Sequence, residues 1–265
     1  MIWLIRNLRH DYRAWDRPTR LAVWLGLALL LGAVVLIFTG PEQIRTQALI
    51  GAVALVIVIQ LVVLYGNRGM TSLYTRAQKL YLQGQFDETR ELLESARVHG
   101  RADAKLLTLL GNTFRQLGHL DSSAAVLSEA LNKAPDHHFP LYGFGRTLLS
   151  QGRYGEAVAM IRRAADSGAP PVVLADLGEA YFRLGDVENA RSALEAAAEQ
   201  PGNERTPHRE LMVRYLLFTL GVGHAPEPAL VQAGLPYWRA SAERFAHTDY
   251  GAALHQDVRA LESSF

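Results

Sequence analysis

Four stretches decide the fold: LYTRAQKLYLQG (73–84), LTLLGNTFRQLG (107–118), LYGFGRTLLSQG (141–152) and LADLGEAYFRLG (174–185). Aligned, they bring Ala77, Gly111, Gly145 and Gly178 into register with spacings of 34, 34 and 33 residues, and each ends on a glycine, Gly84, Gly118, Gly152 or Gly185. A further set, Ala96, Ala130, Ala164 and Ala197, follows the same beat. A period of this length is that of stacked helical hairpins. The small residues let two helices cross closely, the turn glycine supplies the positive φ that ends a helix, and the large apolar residues fill the space between neighbours. No such hairpin buries its apolar face alone. Stacking makes one continuous core and leaves a concave face lined by the first helix of every unit.

Upstream of the array lie two runs long enough to cross a bilayer. From Leu21 to Phe38 every residue is apolar or glycine, and Ala48 to Tyr65 is interrupted only by Gln60. At about 1.5 Å per residue each run spans most of a hydrocarbon core roughly 30 Å thick. The connector between them contains Gly40 and Pro41, which end one helix before the next begins, so a tight hairpin is expected. A cleaved signal peptide fits less well, because no small-x-small site separates the first run from a second one. Arg6, Arg9, Arg13, Arg17 and Arg20 precede the first run, Arg45 alone lies between the runs, and Arg68, Arg76 and Lys79 follow the second. Positive charge stays inside. The expected location is a bacterial inner (plasma) membrane, multi-pass, with both termini cytoplasmic. Ala22, Gly26, Ala28 and Gly32 have the small-xxx-small spacing that lets helices pack in lipid, and Gln60 is an amide seeking a partner there.

In the first seventeen residues Met1, Leu4, Ile5, Leu8, Tyr12 and Trp15 fall on one helical stripe, with Arg6, Arg9, Arg13 and Arg17 opposite. This pattern predicts a helix lying in the membrane interface.

Residues 71 to 200 resemble the tetratricopeptide repeat. The second unit supplies Leu107, Leu110-Gly111, Phe114, Gly118, Leu120, Leu127, Ala130 and Pro135. The third supplies Tyr142, Gly145, Leu148, Gly152, Tyr154, Ala157, Ile161 and Ala164, and the fourth Leu174, Leu177-Gly178, Tyr181, Gly185, Val187, Ala190, Leu194 and Ala197. The first unit departs at Ala77 and Thr89, as a terminal repeat does. The layout of two spans, a short linker and repeats is also similar in architecture to the membrane repeat proteins associated with bacterial haem biosynthesis, which are longer. The resemblance implies an all-α fold, a transmembrane helical hairpin followed by an α-solenoid, and a role in binding proteins.

Past Gln200 the register weakens. Thr206-Pro207 looks like an N-cap with proline at the first helical position, Leu211 to Leu220 is apolar nearly all round, Gly221 to Pro228 reads as a loop, and helices are expected over 236–246 and 249–263. The expected domains are therefore an interfacial helix (1–19), a transmembrane hairpin (20–66), four repeat hairpins (70–200), and a degenerate fifth hairpin with capping helices (201–265).

The chain of 265 residues carries 27 Lys and Arg against 26 Asp and Glu and no cysteine. So even a balance gives no field for nucleic acid, and there is no thiol chemistry, disulfide or Cys-based metal site. No Walker or His-Glu-x-x-His sequence occurs, Gly143-Phe144-Gly145 lacks a dinucleotide loop's third glycine, and His137 and His138 sit in a connector. Catalysis, cofactors and metals are not expected. The hairpin phase directs Tyr74, Gln78, Tyr81, Thr108, Asn112, Arg115, Tyr142, Arg146, Glu179, Phe182 and Arg183 toward the concave groove. Aromatic, amide and guanidinium groups are a mixture that holds a peptide. The expected activity is that of a membrane-anchored scaffold binding protein partners through acidic or carboxy-terminal segments. The alternative is an accessory subunit held in a membrane complex by its spans.

Overall fold

A computed structural model describes residues 17–67, 73–200 and 206–264. All regular elements among them are helices, and the chain divides into two compact units, 1–72 and 73–265. The interfacial helix expected over 1–19 lies outside the described residues except for its last three positions. Those three open the first described helix.

The first unit is a helical hairpin of α1 (Arg17–Thr39) and α2 (Glu42–Asn67). Mean hydropathy is 2.8 over Arg20–Thr39 and 2.4 over Glu42–Val63, so both are long and apolar enough to cross a membrane. Gly40 donates its N–H to the Leu36 carbonyl at 2.9 Å, and Arg45 returns its Nε to the Gly40 carbonyl at 2.8 Å, which closes the corner at Pro41. The small residues divide. A Cβ on Gly26 would come within 2.7 Å of Ile59 Cγ1, so Gly26 serves the hairpin itself, whereas Ala22, Ala28, Gly32 and Gln60 are exposed.

The second unit begins with four hairpins: α3 (Leu73–Leu82) with α4 (Phe86–Val98), α5 (Ala104–Gln116) with α6 (Leu120–Lys133), α7 (His138–Ser150) with α8 (Tyr154–Asp166), and α9 (Val173–Leu184) with α10 (Val187–Ala198). The in-register glycines sit where the paired helices cross. A Cβ on Gly145 would lie 2.6 Å from Ile161 Cγ1 and 3.1 Å from the Ile161 backbone nitrogen, and one on Gly111 only 2.4 Å from Leu127 Cγ. At the turns, Gly118 and Gly152 have φ of 81° and 79°, and the next residue's N–H reaches back to Phe114 and Leu148 respectively, each at 2.9 Å. That arrangement satisfies the last carbonyls of each first helix. A buried hydroxyl chain ties the second hairpin to the third: Ser123 donates to the Gly111 carbonyl at 2.7 Å and lies 2.8 Å from the Thr147 hydroxyl.

Three helices follow: α11 (Pro207–Thr219), α12 (Pro228–Arg244) and α13 (Asp249–Ser264). Thr206 has N-cap backbone geometry before Pro207, but its hydroxyl lies 3.1 Å from His208 Nε2 instead of capping the helix. The expectation of a helix over 236–246 is corrected, because α12 starts eight residues earlier and runs straight through Pro236. A proline inside a helix costs about 3 kcal/mol or more. Val231, Leu235, Trp238 and Ala242 offset it, forming one stripe at helical spacing that is buried along its whole length.

The tight crossing at Gly145 generates a prediction. Replacing Gly145 by Leu drives a side chain into Ile161 and its backbone, and overpacking of this kind costs roughly 1–3 kcal/mol or more. The melting temperature of residues 70–265 should fall by several degrees, and an unchanged value would contradict the crossing.

Candidate binding groove

The groove is built from columns set by the repeat period. Tyr74, Thr108 and Tyr142 occupy one column, Gln78, Asn112, Arg146 and Glu179 the next, and Tyr81, Arg115 and Phe182 a third. These columns line the inner side of α3, α5, α7 and α9. At the amino-terminal end the lining is accessible: Gln78 is exposed, Tyr74 is half-buried with Lys105 Nζ 4.0 Å above its ring, and Tyr81 packs edge-on against Phe86 at 5.3 Å. Thr108 is buried and donates to the Ala104 carbonyl at 2.7 Å, which leaves little of it for a ligand. Asn112 points its Oδ1 at Gly143, in the next unit.

Farther along, the face differs from an open groove. Arg115, Asp176 and Glu179 are 4%, 3% and 3% exposed, and the chain's own last helices cover this part of the face. Trp238 on α12 donates its Nε1 to the His208 carbonyl at 3.1 Å, and Tyr237 stacks on the His208 ring at 3.8 Å. Arg244, at the end of α12, reaches Gln116 at 2.9 Å. On α13, Tyr250 donates to Glu179 at 3.0 Å, and Asp257 accepts from Arg183 and, at 3.1 Å, from Tyr215. Leu254, Val258 and Leu261 continue that face of α13 as a buried stripe. The cause is electrostatic as much as apolar: charged groups on α9 are stable in a covered groove only when partners offset them, and the tail supplies the Asp257 carboxylate for Arg183, the Tyr250 phenol for Glu179 and the Arg209 guanidinium for Asp176.

Asp176 is the centre of this network. Arg146 and Arg209 approach its carboxylate at 3.4 and 3.0 Å, Tyr142 donates to it, and Arg209 also donates to the Tyr142 oxygen at 2.8 Å. Burial pushes the Asp176 carboxyl up, but the two guanidinium groups and the Tyr142 hydroxyl outweigh it and hold it below the usual range. Burial dominates at Glu179 and raises it, with Arg183 pulling the other way. Arg183 is raised by Glu179 and Asp257 against the effect of burial. Beside the network a cavity of about 300 Å³, lined by Lys105, Thr108, His137, Phe139 and Pro140, opens at the starts of α5 and α7.

The sequence profile of the tetratricopeptide repeat matches residues 74–138 and 142–204. The chain carries tetratricopeptide repeats. Among solved structures, that of TTC0263, a thermophilic tetratricopeptide-repeat protein of Thermus thermophilus, superimposes with a TM-score of 0.50 at 17% identity, covering 71% of this chain and 96% of that one. MamA from residue 41 to its end, from Desulfovibrio magneticus RS-1, gives 0.43 at 20% identity over 72% and 94% of the two chains. Two curated proteins share shorter stretches. Mouse aspartyl/asparaginyl beta-hydroxylase is 33% identical over 85 residues, and the rhomboid protease GluP of Bacillus subtilis is 32% identical over 72 residues. These stretches are 32% and 27% of this chain but only 11% and 14% of those proteins. Tetratricopeptide repeats in general mediate protein–protein interaction and are typically non-enzymatic.

Of the groove residues named from the repeat phase, the structure brings Tyr142, Arg146, Glu179 and Arg183 into one ion network with the tail, Tyr81 is linked to the tail through Gln116 and Arg244, and no ion pair joins Tyr74 or Gln78 to that network among the described residues. Phase reasoning missed Asp176, Arg209, Tyr237 and Asp257. Asp176 had a signal of its own, because an acid on the apolar, repeat-stacking first helix of LADLGEAYFRLG must find a cation when it is buried. The tail residues had none, since their phase to the array is broken after α10.

His208 generates a pH prediction. Burial, with Arg209 and Arg146 nearby, pushes its imidazole down to about 4. In the unfolded chain it binds a proton near pH 6.5, so the unfolded state carries the extra proton between these values and stability falls as pH drops from about 6.5 to 4. With solvent screening at a half-buried ring, the loss is on the order of 1–2 kcal/mol. Denaturant unfolding of wild type and His208→Gln at pH 7 and 4.5 should show the smaller loss in the variant.

Proposed function

We propose that the chain is a non-enzymatic adaptor anchored in a bacterial inner membrane, whose tetratricopeptide repeats hold a segment of a partner protein in the cytoplasm. The observation that carries this reading is the groove's treatment of the tail. Its inner face accepts α13 through a buried apolar stripe, a phenol and a carboxylate, all on side chains of one helical face. A groove that takes a helix in this way is built on the same physics as helix-in-groove recognition of a separate protein. The two apolar helices supply the anchor, the arginine distribution supports cytoplasmic termini, and residues 1–19 add an interfacial contact with the same lipid surface.

The partner segment is expected to be acidic or to end in a free carboxylate, since the groove keeps the guanidinium groups of Arg115 and the part-exposed Arg146 once Arg183 is taken up by Asp257 and Glu179. An accessory subunit held through its spans is the competing reading, favoured by the exposed Ala22, Ala28, Gly32 and Gln60 on the hairpin surface.

Two measurements test the proposal. A reporter fused after Phe265 should be active only as a cytoplasmic fusion, and periplasmic activity there would reverse the topology. Exchanging residues 17–67 for an unrelated two-helix anchor should leave capture of the main partner within about twofold in affinity. Loss of capture on that exchange would assign the partner to the spans.

A further inference from the structure

The last described helix, α13, lies against the array with the pattern of a bound ligand. It is reached from α12 through the connector 245–248 and carries Tyr250, Leu254, Asp257, Val258 and Leu261 on one face. Tyr250 is half-buried and the other four are buried, while Ala252, Gln256, Arg259, Ala260 and Ser263 are exposed. Each polar member of the covered face has a defined partner. Tyr250 donates to Glu179 at 3.0 Å, and Asp257 accepts from Arg183 and, at 3.1 Å, from Tyr215. The Arg183 guanidinium also lies 5.9 Å from the centre of the Tyr250 ring. Leu254, Val258 and Leu261 join the apolar cluster that contains Ala175 of α9, Leu216 of α11 and Trp238 of α12.

A face that is never uncovered is most readily stabilised by apolar side chains. Taking Arg183, Glu179 and Asp257 out of water carries a desolvation cost, and apolar groups of similar volume often serve as well or better. Here the Arg183 and Glu179 side chains are only 7% and 4% exposed, yet both are ionisable. Ionic and phenolic groups suit a face that opens and closes, because water satisfies them when the covering helix leaves and a matching helix satisfies them when it returns. They also discriminate: a covering helix without the acid takes one carboxylate from Arg183, and one without the phenol leaves Glu179 short of a donor. The corner before α13 is fixed separately from this face. Thr248 Oγ1 accepts from the Gly251 N–H at 3.1 Å, and a Cβ on Gly152 would lie 3.1 Å from the Asp249 Cβ.

We propose that α13 is an exchangeable internal ligand, and that the surface beneath it is the acceptor site for an amphipathic partner helix of the same pattern. That helix carries a phenol, a carboxylate seven places later as Asp257 follows Tyr250, and apolar residues in the positions of Leu254, Val258 and Leu261. Arg183 takes the carboxylate and Glu179 accepts from the phenol. The inference rests on the adaptor reading and names the class of segment that the repeats hold. Exchange replaces one set of contacts by an equivalent set, so the outside helix competes with a tethered one present at high effective concentration. Its apparent affinity is reduced by the fraction of the chain that is closed, and weakening the fit of α13 raises it.

The test uses the full-length chain in detergent and, as probe, a fluorescein-labelled peptide of residues 247–265. Fluorescence anisotropy should show the peptide binding at least about tenfold more tightly to the Leu254→Asp/Val258→Asp chain, in which α13 is expelled, than to the wild type. The Tyr250→Phe/Asp257→Asn chain loses only the polar bonds of α13. It should shift binding in the same direction, and it serves as the opened chain if the first variant does not fold. Against the opened chain, a peptide carrying Asp257→Asn, or an acceptor carrying Arg183→Met, should lose about tenfold in affinity. Equal affinity, or none, for the wild type and both opened chains overturns the acceptor site, as does binding that ignores Arg183→Met. A wild type whose mass in light scattering doubles with concentration, and falls back in the opened chain, makes the occupant a second copy and overturns the partner helix. The adaptor reading fails separately, when the peptide binds as expected but exchange of residues 17–67 abolishes capture of the main partner.

Discussion

Everything in the second unit depends on how closely two helices of one hairpin can approach. At Gly111, Gly145 and Gly178 the space that a Cβ would fill is taken by Leu127, Ile161 and Leu194 of the paired helix. This contact sets the interhelical distance, the distance sets the angle at which one hairpin stacks on the next, and the repetition of that angle produces a curved array with an inner face. The chemistry of the inner face is then a consequence of phase.

For this reason the array is legible in the amino-acid sequence. Register, turn glycines and alanines repeat at fixed offsets, and each offset has a steric cause that one sequence can display. The two long apolar helices were legible for a similar reason, since Leu21 to Phe38 is an uninterrupted run of apolar residues and glycine. The inward direction of Arg146, Glu179 and Arg183 followed from the same phase. Their partners did not. Arg183 meets Asp257, which is 74 residues away along the chain, and no local rule connects the two. Pro236 misled for a physical reason as well: a proline normally marks a boundary, but here a buried stripe on both sides of it holds the helix together.

The covered part of the groove changes how its charges are to be regarded. Arginines on an open concave face are solvated and individually weak contributors, whereas Arg146, Arg183 and Arg209 are fixed by carboxylates in surroundings with little water. Removing Arg183 leaves Glu179 and Asp257 without a cation, and removing Arg146 or Arg209 leaves Asp176 with only one, so these residues belong to the architecture of the array. Of the groove residues, Tyr74, Gln78 and Tyr81 are the ones left accessible.

The strap formed by α12 also alters the way such a chain folds. An array whose units touch only their neighbours has low contact order and can zip or unzip from either end, one hairpin at a time. The bond between Arg244 and Gln116 joins residues 128 positions apart and binds the second hairpin to the end of α12. Units between these points lose their independence, because fraying any one of them loosens the strap over all the others. During synthesis the early hairpins emerge well before the segment that braces them, so their inner surfaces with buried-type charges wait uncovered until the last sixty or so residues have left the ribosome.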